Sequence, residues 1–425
     1  MNKELLIKTI KLKLQLSKRA PKKYYGIHRR TSADNRIYRS YMYSRATTGR
    51  WASTGVNFQN IKRPEFKDVD AIIAAFKKED FRYLDWMWGD PIKALSAGVR
   101  GMIKAKPGCR LLVSDFSAIE SRKLAWLSGE ETKLEIFRTH GKIYEYLAGQ
   151  IFGIDPETVE DGSDERFGGK ISELACGFQG GWKALQKMAA KHDVDLDDEF
   201  CQEIVTKWRK ANPNTVKYWA ALQACAISAI KNPGTQYSVP EYLENMNLPS
   251  VKYVKWNNYL CCELPSGRVL WYNDPTVKTR TTFMYKIEGA FPRSVVYNDK
   301  NYTVSSFNAE AAKWGAKVTS FESDSIRIWG LNSETHQWQQ QYIHGGMLCN
   351  NVTQGSARDL QALAMLRLDK AGYPIVMHTH DEIAAELPYG QGSIEEFDRI
   401  MLELPSWAKG IPIAVKGYES ERYRK

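Results

Sequence analysis

The sequence lacks the features that mark disulfide-bonded, exported and membrane-spanning proteins. Its seven cysteines are odd in number and include no C-x-x-C pair, which argues against a disulfide framework and against a zinc ribbon. No apolar run approaches the roughly 18 to 20 residues that a membrane helix requires. Lys repeatedly interrupts the apolar residues of the first 23 positions, unlike the apolar stretch of a signal peptide. A reducing cytoplasm is therefore the expected compartment.

Low-complexity tracts and internal repeats are also absent. Hydrophobic residues make up 43% of the 425 residues, so we expect a folded globular protein with one large core or up to about three domain units. Lys and Arg number 60 against 49 Asp and Glu, a formal net charge of +11. This excess favours a polyanionic partner, with nucleic acid ahead of a membrane surface.

Hydrophobic periodicity predicts a mixed chain without regular β-α-β alternation. A polar stretch at 32–65 is loop-like, and the basic apolar segment at 5–23 is ambiguous in type. The helical pattern covers five stretches, at 68–99, 119–153, 164–190 (interrupted at Gly180-Gly181), 199–231 (broken at Asn212-Pro213) and 347–371. Strands are predicted at 110–114 and 374–378, and short strands with loops over 234–329.

Both of the first two strand candidates run into acidic residues. Asp115 follows the first, with Glu120 five residues later, and Asp381 with Glu382 follow the second. Carboxylates fixed at strand ends suit oxygen ligation of Mg²⁺, and two such aspartates from separate strands can bridge two ions in phosphoryl transfer. The alternative is that each Asp caps a following helix, which is the commoner role for one Asp at a strand-to-helix junction.

A basic helix face is the third signal. Arg166, Lys170, Leu174 and Phe178 recur at steps of four, which places them on one slowly turning stripe of a helix. The two cations, about 6 Å apart along the axis, suit a triphosphate, and Phe178 offers a flat face for a base. Taken alone, such a pattern is more often a solvated face.

Together and in this order, these signals resemble motifs A, B and C of the DNA polymerase I family (family A), in its bacteriophage branch. Residues 115–122, Asp-Phe-Ser-Ala-Ile-Glu-Ser-Arg, resemble motif A, and His380-Asp381-Glu382 resembles motif C. Thr48-Gly49-Arg50-Trp51 with residues 57–61, and Asn350 with Gln354, extend the resemblance to nearly the whole chain.

The resemblance implies an α+β fold, a right-hand polymerase with an antiparallel palm sheet and mainly helical fingers. Its thumb would be largely absent. The implied domains are a basic thumb remnant or linker at 1–45, a first palm part at 46–128, fingers with an insertion at 129–345, and a second palm part at 346–425.

It also implies roles at the catalytic centre. Asp115 and Asp381 would bind two Mg²⁺ ions, for which Mn²⁺ can substitute, and Glu382 would support them. Arg166 and Lys170 would hold the triphosphate, and Lys170 would also protonate the pyrophosphate leaving group.

Three further residues are implied in nucleotide selection. Phe178 would stack on the nascent pair, and Glu120 would exclude a ribose 2′-hydroxyl. Many members have Tyr where Phe178 stands, so a hydroxyl contact to Glu120 is missing. The family's Asp-Ile-His is replaced by Lys-Ile-Tyr at 142–144, where Tyr144 is the substrate-binding candidate.

For the DNA, the resemblance implies contacts from five residues. Arg50, Gln59, Asn350 and Gln354 would contact primer–template DNA, and His380 the primer terminus. Minor-groove acceptors lie in similar places in every correct pair, so such donors can test pair geometry without reading sequence.

The implied activity is template-directed transfer of dNTPs to a primer 3′-hydroxyl. The alternatives are a catalytically silent DNA-binding subunit and a single-subunit RNA polymerase. Relatives carry an exonuclease domain and a thumb before the Thr-Gly-Arg segment, where this chain has about 45 residues. We therefore expect no exonuclease of its own and either a separate amino-terminal exonuclease and thumb polypeptide or a trimmed chain. If the chain is phage-encoded, its place is the cytoplasm of the infected bacterium.

Overall fold

The computed structural model describes residues 20–61, 66, 68–192, 194–289, 293–297, 302–332 and 335–424. Residues 1–19 lie outside the described residues. They include most of the basic segment at 5–23 and much of the expected 1–45 domain. The chain divides into two compact units. Unit one comprises 1–119, 357–404 and 413–425, and unit two comprises 120–356 and 405–412.

Most helices of the described residues fall within the five predicted stretches, of which the longer ones are divided, but those at 20–30, 239–242, 304–313 and 394–402 are not predicted by the helical periodicity. They are α1 Ala20–Arg30, α2 Val69–Lys77, α3 Phe81–Trp88, α4 Pro91–Gly101, α5 Ile119–Ser128, α6 Glu131–Thr139, α7 Ile143–Phe152, α8 Asp164–Cys176, α9 Trp182–Ala190, α10 Asp198–Ala211, α11 Pro213–Lys231, α12 Val239–Tyr242, α13 Val304–Lys313, α14 Gly345–Lys370 and α15 Ile394–Leu402.

Side-chain caps explain several of these helix starts. Asp68, Asp90, Ser163 and Asp197 each precede a helix and accept a hydrogen bond from a backbone N–H of its first turn. Such a cap satisfies a donor that has no partner inside the helix. The polar residues that punctuate the helical patterns therefore divide them into separate helices.

The strands form a two-stranded, a four-stranded and a seven-stranded sheet, and every pairing is antiparallel. They are β1 Tyr41–Met42, β2 Ala52–Ser53, β3 Cys109–Phe116, β4 Tyr237–Ser238, β5 Lys252–Trp256, β6 Tyr259–Glu263, β7 Val269–Ile287, β8 Arg293–Val296, β9 Val318–Leu331, β10 Trp338–Ile343, β11 Ile375–His378, β12 Glu382–Pro388 and β13 Val415–Ser420.

The four-stranded sheet is the centre of unit one, with the order β11-β12-β3-β13. Every residue of β3 is buried, which explains why apolar residues are consecutive at Leu111, Leu112 and Val113 instead of alternating with polar ones. Leu111, Val113 and Ala384 pack on one face with Tyr423. Helix α15 packs against β3 and β13. A strand buried in this way holds the residues at its end rigidly.

The seven-stranded sheet of unit two corrects one expectation. Residues 234–329 were expected to form short strands and loops, yet β7 has 19 residues and β9 has 14. These two strands pair along most of their length, and β10, β6, β5 and β4 complete the sheet, with β8 on β7. Many of their residues are half-exposed polar ones, so hydrophobic periodicity does not reveal their true length.

Candidate active site

Asp115 lies inside strand β3, at its seventh residue. The residue is buried, 9% exposed. The helix-cap alternative is wrong here, because α5 begins only at Ile119 and residue 118 occupies the position before it. Asp115 therefore owes its fixed position to the sheet.

Asp381 lies in the tight turn between β11 and β12. The N–H of Thr379 donates to the carbonyl of Glu382 at 2.8 Å and closes the turn, while Gln361 Nε2 donates to the Thr379 carbonyl at 2.8 Å. The N–H of Phe116 donates to the carbonyl of Asp381 at 2.8 Å. The turn that carries Asp381 is thereby attached to the strand that carries Asp115.

Glu382 is the first residue of β12 and stands directly opposite Asp115 in the strand register. Residues so paired have Cβ atoms about 5 Å apart, and like charges in such a pair repel. On its other side Asp115 is paired with Lys416 of β13, an exposed lysine that sequence reasoning missed. The strand register thus assembles two carboxylates and one cation in a single row.

A second contact to Glu382 comes from the end of the chain. The hydroxyl of Tyr423 donates a hydrogen bond to Glu382 Oε1, and the guanidinium of Arg100 lies 4.9 Å from the centre of the Tyr423 ring. Burial and the Glu382 carboxylate raise the pKa of Tyr423 well above its ordinary value. Tyr423 therefore remains a neutral donor at physiological pH.

The Thr-Gly-Arg-Trp segment is held by an arginine that sequence reasoning also missed. Arg358 Nε donates to the carbonyl of Gly49 at 2.9 Å, and its guanidinium lies 4.4 Å from the Trp51 ring centre. Arg50 itself is half-buried. Both polar atoms of the Gln59 side chain are used inside the protein: Ser53 donates to Oε1 at 3.1 Å, and Nε2 donates to the Trp51 carbonyl at 2.9 Å.

Two histidines, His378 and His380, lie at the motif C end of unit one. The rings of His378 and Tyr41 stack with centres 4.4 Å apart, and Trp51 meets His378 edge-on. His380 is half-buried in the turn that carries Asp381. The sheet end and the Thr-Gly-Arg-Trp segment are therefore joined by aromatic packing.

In unit two, helix α8 places Arg166 and Lys170 one turn apart on one face. The predicted interruption at Gly180-Gly181 is present but begins earlier, because α8 ends at Cys176 and α9 begins at Trp182, so the helical stripe predicted to include Phe178 is wrong at that residue. Phe178 lies in the turn between them, half-buried. A Cβ on Gly180 would meet the Ala175 carbonyl oxygen at 1.9 Å, so this close turn requires glycine.

The two glycines between Arg166 and Lys170 have a packing reason. A Cβ on Gly169 would lie 2.1 Å from the Tyr144 carbonyl oxygen, and one on Gly168 would lie 2.8 Å from the Phe152 ring. Helices α7 and α8 thus approach closely, backbone to backbone. The approach brings Tyr144 of α7 beside the cationic face of α8.

Arg166 is engaged by carboxylates. Its Nε lies 2.7 Å from Glu145 Oε1 and its Nη1 lies 3.1 Å from Asp161 Oδ1, and its guanidinium lies 5.5 Å from the Tyr144 ring centre. The hydrogen bond to Glu145 raises the pKa of Arg166, and burial raises that of Tyr144. Lys170 is exposed.

A buried ion pair fixes the inner side of α8. Lys133 Nζ lies 2.7 Å from Glu173 Oε2, and Ser121 and the Trp208 indole also donate to Glu173. Burial alone would raise the pKa of Glu173, but Lys133 and these donors outweigh it and leave the pKa below its ordinary value. Glu173 is therefore a charged anchor for the helix.

Three other candidates lie on helices of unit two. Asn350 and Gln354 are one turn apart on α14, both half-buried, and the Asn350 Oδ1 is buried without a hydrogen-bond partner among the described residues. Glu120 is half-buried in the first turn of α5.

The described residues contain neither a metal-ligand cluster nor a membrane-spanning helix. Within the described ranges, no group of three or more His, Cys, Asp or Glu side chains is arranged to hold a metal ion. No described helix is long and apolar enough to cross a membrane.

Comparison with known sequences gives consistent matches. The model of DNA polymerase family A matches residues 2–231. The DNA polymerase of Bacillus phage SP02 is 34% identical over 425 residues, which is 100% of this chain and 58% of the phage protein. DNA polymerase I of Chloroflexus aurantiacus is 30% identical over 125 residues, 29% of this chain and 10% of that protein.

A solved structure gives the fold comparison. The chain is similar to the POL domain of Pol1 from M. smegmatis, in a complex with DNA primer-template and dNTP, with a TM-score of 0.56 and 17% identity. The match covers 95% of this chain and 51% of that one. The chain spans a little over half the length of the phage relative and far less of the bacterial one. The expected α+β fold with an antiparallel sheet is confirmed.

Proposed function

Because the chain belongs to DNA polymerase family A, we propose that it is a template-directed DNA polymerase that adds dNTPs to a primer 3′-hydroxyl. The observation that carries the proposal is the row across β12 and β3. Glu382 faces Asp115 in register, and the Asp381 carbonyl accepts a hydrogen bond from the backbone next to Asp115. The register therefore gathers acidic side chains at the buried end of one sheet, where their oxygens are the kind of ligand that a divalent metal takes.

Divalent metal is the partner that the donor set favours. Carboxylate oxygens are hard ligands, and Mg²⁺ typically takes one or two carboxylates together with substrate phosphates instead of a complete protein cage. We assign Asp115 and Asp381 as ligands of two Mg²⁺ ions, with Mn²⁺ as a substitute, and Glu382 as their support. Bound there, the metal would stabilise the charge on the reacting oxygens.

For the incoming nucleotide we assign the residues of α8 and its neighbours. Arg166 and Lys170 present their cations one turn apart, a spacing that matches adjacent phosphates. Lys170 is exposed and available to donate a proton to pyrophosphate. Phe178 supplies a flat face in the turn after α8, and Tyr144 packs under Arg166. Glu120 is assigned to exclusion of a ribose 2′-hydroxyl.

Primer–template contacts are assigned to five residues of the matched segments. Arg50, Gln59 and His380 belong to unit one, and Asn350 and Gln354 form one face of α14 in unit two. The sheet of unit one is the proposed palm, and the helices around α8 are the proposed fingers. A separate exonuclease and thumb polypeptide, and a place in the host cytoplasm, stay predictions.

Primer extension with dNTPs or rNTPs tests the proposal. We expect extension with dNTPs and Mg²⁺, and a loss of at least about a hundredfold in Asp381→Ala and Asp115→Asn. Glu395→Gln, which changes an exposed carboxylate of α15, is the control and should extend normally. Undiminished extension by Asp381→Ala contradicts the metal assignment. Preference for rNTPs indicates an RNA polymerase, and DNA binding without extension indicates a silent subunit.

A further inference from the structure

Among the described residues, helices pack against one face of the seven-stranded sheet, and large side chains of the other face are exposed. Helix α11 packs against β5, β6, β7 and β9, and α13 packs on Tyr285 and Ile287 of β7. The residues facing α11 include Tyr253, Leu260 and Tyr272, each at most 1% exposed. Side chains alternate between faces along a strand, so the neighbouring positions define the opposite face, which we call the outer face.

The outer face carries a row of aromatic side chains. The strand register places Trp256, Tyr259, Asn273, Trp329 and Gln340 directly side by side across five strands, β5, β6, β7, β9 and β10. At a strand spacing of about 4.8 Å, the row spans roughly 19 Å. Trp256 is 62% exposed. A row of this length matches several nucleotides of an extended strand.

Two more tryptophans lie in a second row, on one side of the first, because the register places both Trp271 and Trp338 level with Leu331 of β9. Trp271 lies on the outer face two residues before Asn273, is 51% exposed, and meets Tyr259 edge-on with ring centres 5.7 Å apart. Trp338 lies on β10 two residues before Gln340 and is 60% exposed. Large aromatic rings left in solvent on a folded sheet indicate a binding surface.

The charges of the outer face are mainly positive. Lys278 and Arg280 of β7 are exposed on it, and Arg327 of β9 stacks on Tyr342 of β10 at 4.4 Å. The acid Glu263 also lies on this face, and it is 3.5 Å from Lys252. The surface therefore combines aromatic faces with an excess of cations.

We propose that the outer face binds single-stranded nucleic acid. Bases stack on the aromatic row, and the phosphates meet Lys278, Arg280 and Arg327. This combination of stacking platforms with a basic surface is what unpaired strands require, and it tolerates any sequence because every base has a π face. An unpaired strand exposes its base faces, whereas a duplex hides them within its stack. The proposed site belongs to unit two and the carboxylates proposed for catalysis belong to unit one, and neither proposal depends on the other.

Binding of a fluorescent oligothymidine of about 15 nucleotides to the full chain tests this site. We expect Trp271→Ala with Trp256→Ala to weaken binding roughly tenfold or more. Trp271→Tyr should restore most of the loss, because a ring remains. Trp314→Ala is the matched control, since Trp314 is also 51% exposed but follows α13, which packs on the other face. Lys278→Ala with Arg280→Ala should flatten the salt dependence of binding.

Three results would contradict the proposal that the outer face binds single-stranded nucleic acid. They are an unchanged oligothymidine affinity in the double tryptophan variant, an equal loss for a blunt duplex, and a dimer of the wild type that the variant loses. A melting temperature close to wild type confirms that the variant is folded. Extension of a primer on a template with a short overhang, measured in parallel, keeps the two proposals separate. The tryptophan variant should still extend, and Asp381→Ala should still bind oligothymidine.

Discussion

The Tyr423 hydroxyl donates a hydrogen bond to Oε1 of Glu382, a carboxylate that is 5% exposed and faces Asp115 across the sheet. A buried carboxylate needs such donors, because leaving it without them costs about 1 to 3 kcal/mol or more. The ring of Tyr423 is itself held, since it packs with Val113 and Ala384 beneath the guanidinium of Arg100. Tyr423 is therefore a positioning residue for Glu382.

Replacing Tyr423 by Phe removes the hydroxyl and keeps the ring. We expect kcat for primer extension to fall about tenfold with little change in the KM for dNTP, because one donor to a charged group is worth about 1.5 kcal/mol. The Mg²⁺ concentration that gives half-maximal rate should rise, since Glu382 is less firmly held. A titration of Mg²⁺ against extension rate measures both effects.

Tyr389→Phe is the control for this prediction. Its hydroxyl also bonds a glutamate, Glu421 at 3.0 Å, but the pair is exposed and does not touch Glu382. Extension by this variant should match the wild type at every Mg²⁺ concentration. If Tyr423→Phe lowers only the melting temperature and leaves the Mg²⁺ dependence unchanged, Tyr423 is merely part of the core.

Glu145 competes with a triphosphate for Arg166. Because Glu145 holds the guanidinium at 2.7 Å, nucleotide binding has to displace or share this contact. Glu145→Gln removes the charge and keeps the shape. We expect the KM for dNTP to fall about threefold to tenfold, with a smaller change in kcat, as measured by steady-state extension of a single nucleotide.

Asp161→Asn is the matched comparison. Asp161 also meets Arg166, at 3.1 Å, but its side chain is 90% exposed, so solvent screens the pair and the KM should hardly change. A rise in KM in Glu145→Gln would reverse the interpretation, because Glu145 would then orient Arg166 toward the nucleotide.

Helices and strands whose bounds depend on neighbouring residues in the chain are predicted correctly from the sequence. The apolar run before Asp115 predicts β3, and the helix breaks at Asn212-Pro213 fall where α10 ends and α11 begins. The end of α8 is different. The interruption predicted at Gly180-Gly181 is present, but the close approach of Gly180 to Ala175 makes it part of a turn that already carries Phe178, which the pattern predicts on the helix face.

Contacts between distant segments escape such reasoning. Tyr423 and Glu382 are 41 residues apart, and no local pattern connects a tyrosine near the end of the chain with motif C. Arg358 reaches Gly49 across 309 residues for the same reason. Both contacts arise from strand register or helix packing. Register and packing depend on the whole fold, so local sequence patterns do not predict them.

His378 makes the stability of unit one depend on pH. Burial is the largest influence and lowers the pKa of His378; the hydrogen bond with the Thr379 carbonyl raises it in part, and the charges of His380 and Arg358 lower it by lesser amounts. The unfolded chain therefore takes up a proton at higher pH than the folded one. Stability is full above the ordinary histidine pKa of about 6.5 and decreases as the pH falls below it.

His378→Phe tests this dependence because it keeps a ring against Tyr41. The urea midpoint of the wild type should fall between pH 7.5 and 5.5, and the variant should lose less over the same interval. His344, whose pKa burial also lowers, contributes equally to both proteins, so the difference between them isolates His378. Parallel pH curves for the two proteins would show that His378 does not carry the dependence.

The Lys133–Glu173 pair anchors the helix that carries Arg166 and Lys170. Both side chains are at most 3% exposed, and Glu173 receives further hydrogen bonds from Ser121 and Trp208. Lys133→Met leaves this charge in a buried site without its cation. We expect a loss of about 3 to 5 kcal/mol in the free energy of unfolding, measured by urea denaturation.

Arg138→Met tests whether the loss of stability in Lys133→Met comes from the burial of the ion pair or from the loss of any ion pair. Arg138 on the same helix, α6, also pairs with a glutamate, Glu131 at 2.8 Å, but both side chains are exposed, so the change should have almost no effect on stability. A comparable loss in both variants would contradict the assignment of the anchor. Glu173→Gln in the Lys133→Met background should recover part of the loss, because it removes the stranded charge while an amide still accepts from Trp208. Recovery of this kind would show that the pair stabilises α8 through charge compensation and not through the volume of the lysine side chain.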